Sequence, residues 1–390
     1  MLFVLLPAAC GGGPVRHKVS PELLADKPAA LKADYRRLYE DPDNNRTLNR
    51  MRLALKAYRL GYKEIASQTF DKVLLGIEAV YADSEKAAKA RSLWYEEGMK
   101  DFKGEPYERV MAYFYRGLLY IEEGDLENAR ACFKGGLLQD SFAEEKKYRA
   151  DFALMIFMEG WCSLQLHDDS LAHDSFAELH ELRPDFSLPG KENNLLMIVE
   201  TGTSPRKVAD GVGHYELKFR RGRHFKEKKV YVQLDRDRRN PMFPMEDVAW
   251  QAMTRGGRPL DKILKGQAFF RSTSETVGTV LTGASTLAME AAPAFRNSND
   301  VALVGAAVGL VGAAGLLLST QIKAKADTRY WDNLPDGVFV FCRALSPGKH
   351  TAHLFYADRN DRLLRNLNLS LKVAGQGPTL VYQRSPSSKL

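Results

Sequence analysis

At 390 residues the chain has room for two or three domains, and its 45% apolar and 27% charged side chains are those of an ordinary soluble protein. The formal net charge is +7, and one stretch carries it: residues 205–240 hold twelve Lys or Arg against five acids, a surplus of seven. The four cysteines, Cys10, Cys132, Cys162 and Cys342, form no C-x-x-C pair, which leaves zinc knuckles and dithiol redox motifs without support.

The chain opens on an apolar run, Leu2–Ala9, that ends in small residues directly before Cys10. Leu6-Pro7-Ala8-Ala9-Cys10 is similar to the lipobox of bacterial lipoproteins, with Pro7 where an apolar residue is usual and no basic segment ahead of it. Residues 1–10 are therefore expected to be a signal peptide, shortened by a start placed a few residues late, and Cys10 to be lipidated. Residues 11–32, rich in Gly, Pro and Ala, read as a flexible tether.

Helical periodicity runs over residues 33–190 and recurs. In Arg109–Asp140, Gly117 and Tyr120 lie on a first helix, Gly124-Asp125 makes a turn, and Ala129 and Phe133 stand at i, i+4 on a second. Small residues at 117 and 129 let antiparallel helices approach, while Phe133 and Tyr120 fill the space between them; this is the mechanical content of the tetratricopeptide pattern. Leu48–Ala82 aligns on it through Gly61, Ala66 and Phe70, and Phe152–Pro184 through Gly160, Ala172 and Phe176. Gly117 and Gly160 are 43 residues apart, more than the ideal 34, so the connection is expected to lengthen around Phe142–Lys147. Arg116 and Glu159 stand where Leu is usual, and a charged helical insertion is expected over Asp83–Lys103.

After Pro189 the period becomes that of strands. Leu195–Val199 is a short apolar run; His214–Phe219 and Lys229–Leu234 alternate and suggest a β-hairpin whose tip carries Arg220, Arg221, Arg223, Lys226, Lys228 and Lys229. Met245–Met253 and Pro259–Ser274 read as helices. Val277–Ala292 and Val301–Ile322 form an apolar helical pair, the second without a charge and with Gly305, Gly309, Gly312 and Gly315 along one ridge. Strands return at Gly337–Phe341, Thr351–Tyr356, Leu367–Val373 and Thr379–Gln383, and residues 385–390 read as a disordered tail. The expected class is α+β: a tetratricopeptide-like helical array, then a mixed β domain over 191–384 with a helical insertion at 245–325 that contains the Gly/Ala-rich hairpin.

Three surfaces invite function. A stacked array offers a curved face for a protein partner. The basic turn would attract phospholipid, lipopolysaccharide or an acidic cell-wall polymer; no nucleic-acid motif is present. The glycine ridge suits a buried helical hairpin, self-association into a homo-oligomer, or insertion into a membrane. No catalytic motif, cofactor loop or metal-ligand spacing stands out: His167, His173 and His180 sit on one repeat as scattered surface residues, and His350 and His353 fall on opposite faces of a strand.

The lipobox-like LPAAC, ERVMAYFYRGLLYIEEGDLENARACF, ETGTSPRK and ADTRYWDNLPDGVFV together resemble an uncharacterised family of Gram-negative bacterial lipoproteins with tetratricopeptide-like repeats. The resemblance implies a location in the outer membrane facing the periplasm and brings no activity with it. The expected function is a non-enzymatic, membrane-anchored scaffold for protein–protein interaction. The alternative is a membrane-inserting or pore-associated component built on residues 277–322. Metabolic labelling with a palmitate analogue is expected to mark the chain and to fail in Cys10→Ala; equal labelling of both forms would remove the anchor.

Overall fold

Three helix pairs form because the same local device occurs three times. In each, the first helix is followed within two residues by one with left-handed backbone, and the chain doubles back. The computed structural model describes residues 16–79, 101–140, 151–210, 216–223, 226–254 and 327–386. After a short leading helix, α1 (Lys32–Glu40), the pairs are α2 (Arg46–Arg59) with α3 (Lys63–Ala79), α4 (Pro106–Glu123) with α5 (Leu126–Asp140), and α6 (Ala153–Gln165) with α7 (Asp169–Leu182). The reversals sit at Gly61 and Gly124, both with φ +81°, and at His167, φ 60°. Glycine occupies that conformation freely, whereas His167 adopts it with Asp168 capping α7 behind it.

Between paired helices the fit is tight. Ala66, Phe70, Val73 and Ile77 form a fully buried stripe on α3 at helical spacing. A Cβ placed on Gly117 would stand 2.4 Å from the Phe133 ring, and one on Gly160 would stand 2.7 Å from the Phe176 ring. The first helices of the second and third pairs are buried nearly all round: only Tyr120, Glu122 and Glu123 of α4, and Glu159 and Gln165 of α6, are not. Burial of that extent needs a cover on the side away from α5 and α7, and the β region supplies it.

The strands are β1 (Leu195–Thr201), β2 (Arg206–Asp210), β3 (Glu216–Arg220), β4 (Lys229–Leu234), β5 (Asn240–Pro241), β6 (Phe243–Asp247), β7 (Gly337–Arg343), β8 (Gly348–Ala357), β9 (Leu363–Val373) and β10 (Thr379–Arg384). The first sheet has the order β10-β1-β7-β6, with β10 parallel to β1; the second is β5-β4-β8-β9, antiparallel throughout; β2 and β3 form a separate two-stranded ribbon. β1 is buried along its whole length. Leu196 and Ile198 join the helical core, while Leu195, Met197 and Val199 join Val230, Val232, Leu354 and Tyr356 in the core between the sheets. The molecule is α+β in three layers: helix pairs, first sheet, second sheet. A strand with apolar side chains on both faces is what a middle layer requires.

Several expectations change. β3 does not pair with β4: it pairs with β2, and β4 crosses to the other sheet to lie between β5 and β8. The expected hairpin is therefore replaced by a crossover between sheets, because alternation fixes which face is buried but not which neighbour binds the edge. Met245–Asp247, expected as the first turn of a helix, belongs to β6, which pairs with β7; a helix, α8 (Val248–Met253), begins only at Val248, where Asp247 accepts from the Trp250 N–H at 2.9 Å. Residues 16–32 are not a loose tether, since Leu24 and Leu31 are buried and His17 N donates to Glu40 O at 2.8 Å. Ser385 is packed as well, its N–H donating to Glu200 O at 2.8 Å. The expected insertion before residue 101, the lengthened connection near 142–147 and the apolar pair 277–322 lie outside the described residues.

The packing at Gly117 makes a quantitative expectation. Gly117→Ala should lower the unfolding free energy by about 3 kcal/mol, because the Phe133 ring must move. Gly124→Ala, with open space around it, should lower it by only about 1 kcal/mol through its left-handed backbone. Urea unfolding of the two variants checks this, and equal losses would contradict the close approach of α4 and α5.

Candidate functional site

The polar chemistry of the molecule gathers where the helix pairs meet the first sheet. Alternation along β1 places Glu200 on the same side as Leu196 and Ile198, so a carboxylate enters the helix–sheet core. Glu200 is fully buried, and an isolated charge there would be prohibitive. Four side chains from three other elements receive it. Arg59 of α2 pairs with Oε2 at 2.7 Å, and Arg384 of β10 approaches the same oxygen at 3.4 Å. The Tyr382 hydroxyl donates to it at 2.7 Å, and the Tyr115 hydroxyl of α4 donates to Oε1. Arg59 also donates to the Asn333 carbonyl at 2.5 Å, and Arg384 to the Gly202 carbonyl at 3.2 Å. Burial alone would push the Glu200 carboxyl up, but the two guanidiniums and two hydroxyls outweigh it and hold it below the ordinary value.

An extended strap, residues 327–336, runs along the same seam. Arg329 forks onto both oxygens of Asp327, at 2.9 and 2.8 Å, and reaches Asn45 Oδ1 at 2.9 Å. Trp331 is buried between layers, its ring 6.3 Å from Phe70 and 5.9 Å from Tyr115; its backbone N–H donates to Glu108 Oε1 at 2.6 Å, and its backbone carbonyl accepts from the Ser204 hydroxyl at 2.7 Å. Arg52 pairs with Asp332 at 2.7 Å. The most distinctive motif of the sequence is thus the clip between helices and sheet, with Trp331 as its plug.

Among the other buried carboxylates, Glu108 and Glu246 tie helices to strands. Glu108 closes the capping box at the start of α4, where Glu105 is bridged to Lys207 of β2 at 2.5 Å. Glu246 of β6 accepts from the Leu154 N–H at the start of α6 at 3.3 Å and from Gln251 at 3.1 Å, with Arg183 at 3.8 Å. Burial raises both from an ordinary 4.5 to about 7, against partners that only partly offset it.

The residues singled out from sequence fall in different places. Gly117, Ala129, Phe133, Gly160, Ala172 and Phe176 lie within the helix pairs. Tyr120 is half-buried under the Arg116 guanidinium, 3.5 Å from the ring centre, and Arg116 reaches across to Asp71 of α3 at 2.7 Å. An arginine where leucine is usual therefore ties neighbouring pairs together. The basic segment does not act as one patch. Arg221 turns inward to bridge Asp247 and Asp336 at 2.5 Å each, and Lys229 pairs with Asp361 at 2.5 Å. Lys228 is half-buried, while Arg220, Arg223 and Lys226 remain exposed. The expectation of a single free basic tip is corrected in part: of the six cations, Arg221 and Lys229 are paired with the chain's own carboxylates, Lys229 at the surface. Cys10 and the ridge Gly305, Gly309, Gly312 and Gly315 lie outside the described residues. Among the described residues no helix is long and apolar enough to cross a membrane, and no group of three metal-binding side chains occurs.

Compared with protein-family models, curated proteins and solved structures, the chain matches none.

What sequence reasoning missed is Glu200 and its partners. The available signal was an acid on the core-facing register of an apolar strand, Leu195–Thr201, which requires a buried cation elsewhere.

The buried carboxylates set opposite pH dependences. Glu108 and Glu246, raised to about 7, contribute stability that is full below 4.5 and lost as pH climbs through 7. Glu200, lowered, contributes at neutral pH and loses its contribution as acid protonates it. The unfolding free energy should therefore fall between about pH 4.5 and about pH 7, by on the order of 3 kcal/mol for each raised group. Glu108→Gln should flatten that fall when both forms are unfolded in urea across the range; a parallel curve would show that Glu108 is ionised throughout.

Proposed function

We propose that the chain is a rigid, non-enzymatic docking platform of the Gram-negative cell envelope, held to the outer membrane by lipid on Cys10. Its three helix pairs are degenerate tetratricopeptide-like repeats, locked onto a β-sandwich. The observation that carries this reading is the seam. The buried ionisable groups Glu200, Arg59, Arg384, Glu108 and Glu246 are spent on joining layers, which is the use a platform makes of them.

The first helices α2, α4 and α6 face the sheet, so that side of the array is filled by the protein's own strands. Binding falls to the outward second helices instead. Each carries an exposed leucine, Leu75 on α3 at 65%, Leu138 on α5 at 60% and Leu171 on α7 at 39%. Single exposed apolar residues are common, but Leu75 and Leu138 stand at equivalent places, five residues after Phe70 and Phe133, while Leu171 lies near the start of its helix; the repeated pair favours a protein partner with an apolar surface. The isolated helical segment is a poor test object, because its first helices would lose their cover.

The full-length chain, cross-linked in envelope fractions, is expected to give one recurrent protein partner with links clustered on α3, α5 and α7. Leu75→Lys with Leu138→Lys should abolish those links and leave the melting temperature within about 2 °C of the parent, as expected for exposed positions. Links that persist in the double variant would refute the outward face as the docking side.

A further inference from the structure

A groove opens on the far side of the first helix pair, between the N-terminal segment, α1, α2 and α3. It consists of two adjoining hollows that share Leu38, Tyr39 and Arg50: one adds Tyr35 and Lys72, the other adds His17, Lys18, Asp43 and Arg46. The Tyr35 and Tyr39 rings wall it, 6.0 Å apart.

The charges in this groove are poorly balanced by the protein itself. Arg46 and Arg50 are one turn apart, and like charges at that spacing repel. Arg46 is also the first residue of α2, whose opening turn has no acid, so a cation sits at the positive end of the helix dipole. Asp43 is the sole acidic lining residue among those described; it pairs with Arg46 and has His17 at 3.9 Å. Arg50 is half-buried and has no hydrogen-bond or ion-pair partner among the described residues. Burial, and then the Arg46 guanidinium, pull it below the ordinary arginine value. A half-buried guanidinium facing another, with no anion of its own, leaves the free protein with an unmet electrostatic demand.

We propose that this groove is a binding site for a phosphate group, gripped by Arg46 and Arg50 and flanked by Lys18 and Lys72. A phosphate matches the demand better than a single carboxylate, because it presents three or more acceptor oxygens to two guanidinium forks at once. The tyrosine wall suits an uncharged portion attached to that phosphate. Two sources share this chemistry, a soluble phosphorylated small molecule and a phospholipid headgroup. The site is separate from the docking face and does not depend on it.

The experiment uses the full-length chain carrying Cys10→Ala in parent and variants alike, so that no acyl anchor contributes to flotation. Inorganic phosphate is titrated calorimetrically at constant ionic strength, and flotation is measured with phosphatidylcholine vesicles with and without phosphatidylglycerol. Saturable binding to at least one probe is expected. Arg50→Gln should weaken it roughly tenfold or more, and the exposed pair Arg220→Gln with Arg223→Gln should leave it unchanged. Loss of phosphatidylglycerol-dependent flotation in Arg50→Gln assigns the site to a headgroup; an effect confined to free phosphate assigns it to a soluble ligand. Arg50→Gln should also melt at or above the parent temperature in phosphate-free buffer, since it relieves the repulsion with Arg46. No saturable binding to either probe, equal weakening by the control pair, or a lower melting temperature in Arg50→Gln would each overturn the proposal.

Discussion

One carboxylate governs the architecture. Glu200 lies at the end of a strand whose neighbours are apolar on both sides, in a layer from which water is excluded. Its charge is tolerable only if cations and hydroxyls arrive from α2, α4 and β10 together. Each arriving side chain drags its backbone element into register. A buried ionic cluster of this kind adds little net stability over an apolar core of equal fit. What it adds is geometry: the helices can meet the sheet in only one way that leaves no charge unpaired.

That geometry has a consequence for surfaces. Helical repeat arrays usually present one side to ligands, yet here the strands β10, β1, β7 and β6 lie against the first helices. The strap with Trp331 and Arg329 closes the same joint from the chain's later half. The helix pairs and the sandwich thus behave as one body, and available surface is displaced outward, to the second helices and to the cationic groove on the first pair. Arg116 shows the same economy, filling a leucine position while bridging to Asp71 and covering Tyr120.

The helix pairs were legible in the sequence because their constraint is local. A glycine must face an aromatic ring across the pair, so Gly117 with Phe133 and Gly160 with Phe176 could be read from spacing alone. The strands could be placed but not joined. Lys229–Leu234 shows its buried face by alternation, whereas its partner, β8, is chosen by contacts more than a hundred residues away. For the same reason the basic stretch was taken as a free patch, when Asp247 and Asp336 fold back to claim Arg221. Residues 16–32 misled through composition: Pro and Ala there read as loose chain, but Leu24 and Leu31 are enough to bind the segment down. Arg50 was hidden because an unsatisfied cation can be recognised only when its neighbours are known.

The pairing of β10 with β1 is parallel, and it places Tyr382 and Arg384 against a residue synthesised 182 and 184 positions earlier. During translation, Glu200 therefore waits for more than 180 further residues before its ring of partners can close. Until then the helical layer has no lid and the acid no full complement of donors. Closure of the ring around Glu200 is consequently a late step that awaits β10, and until it occurs the apolar first helices stay open to misassembly.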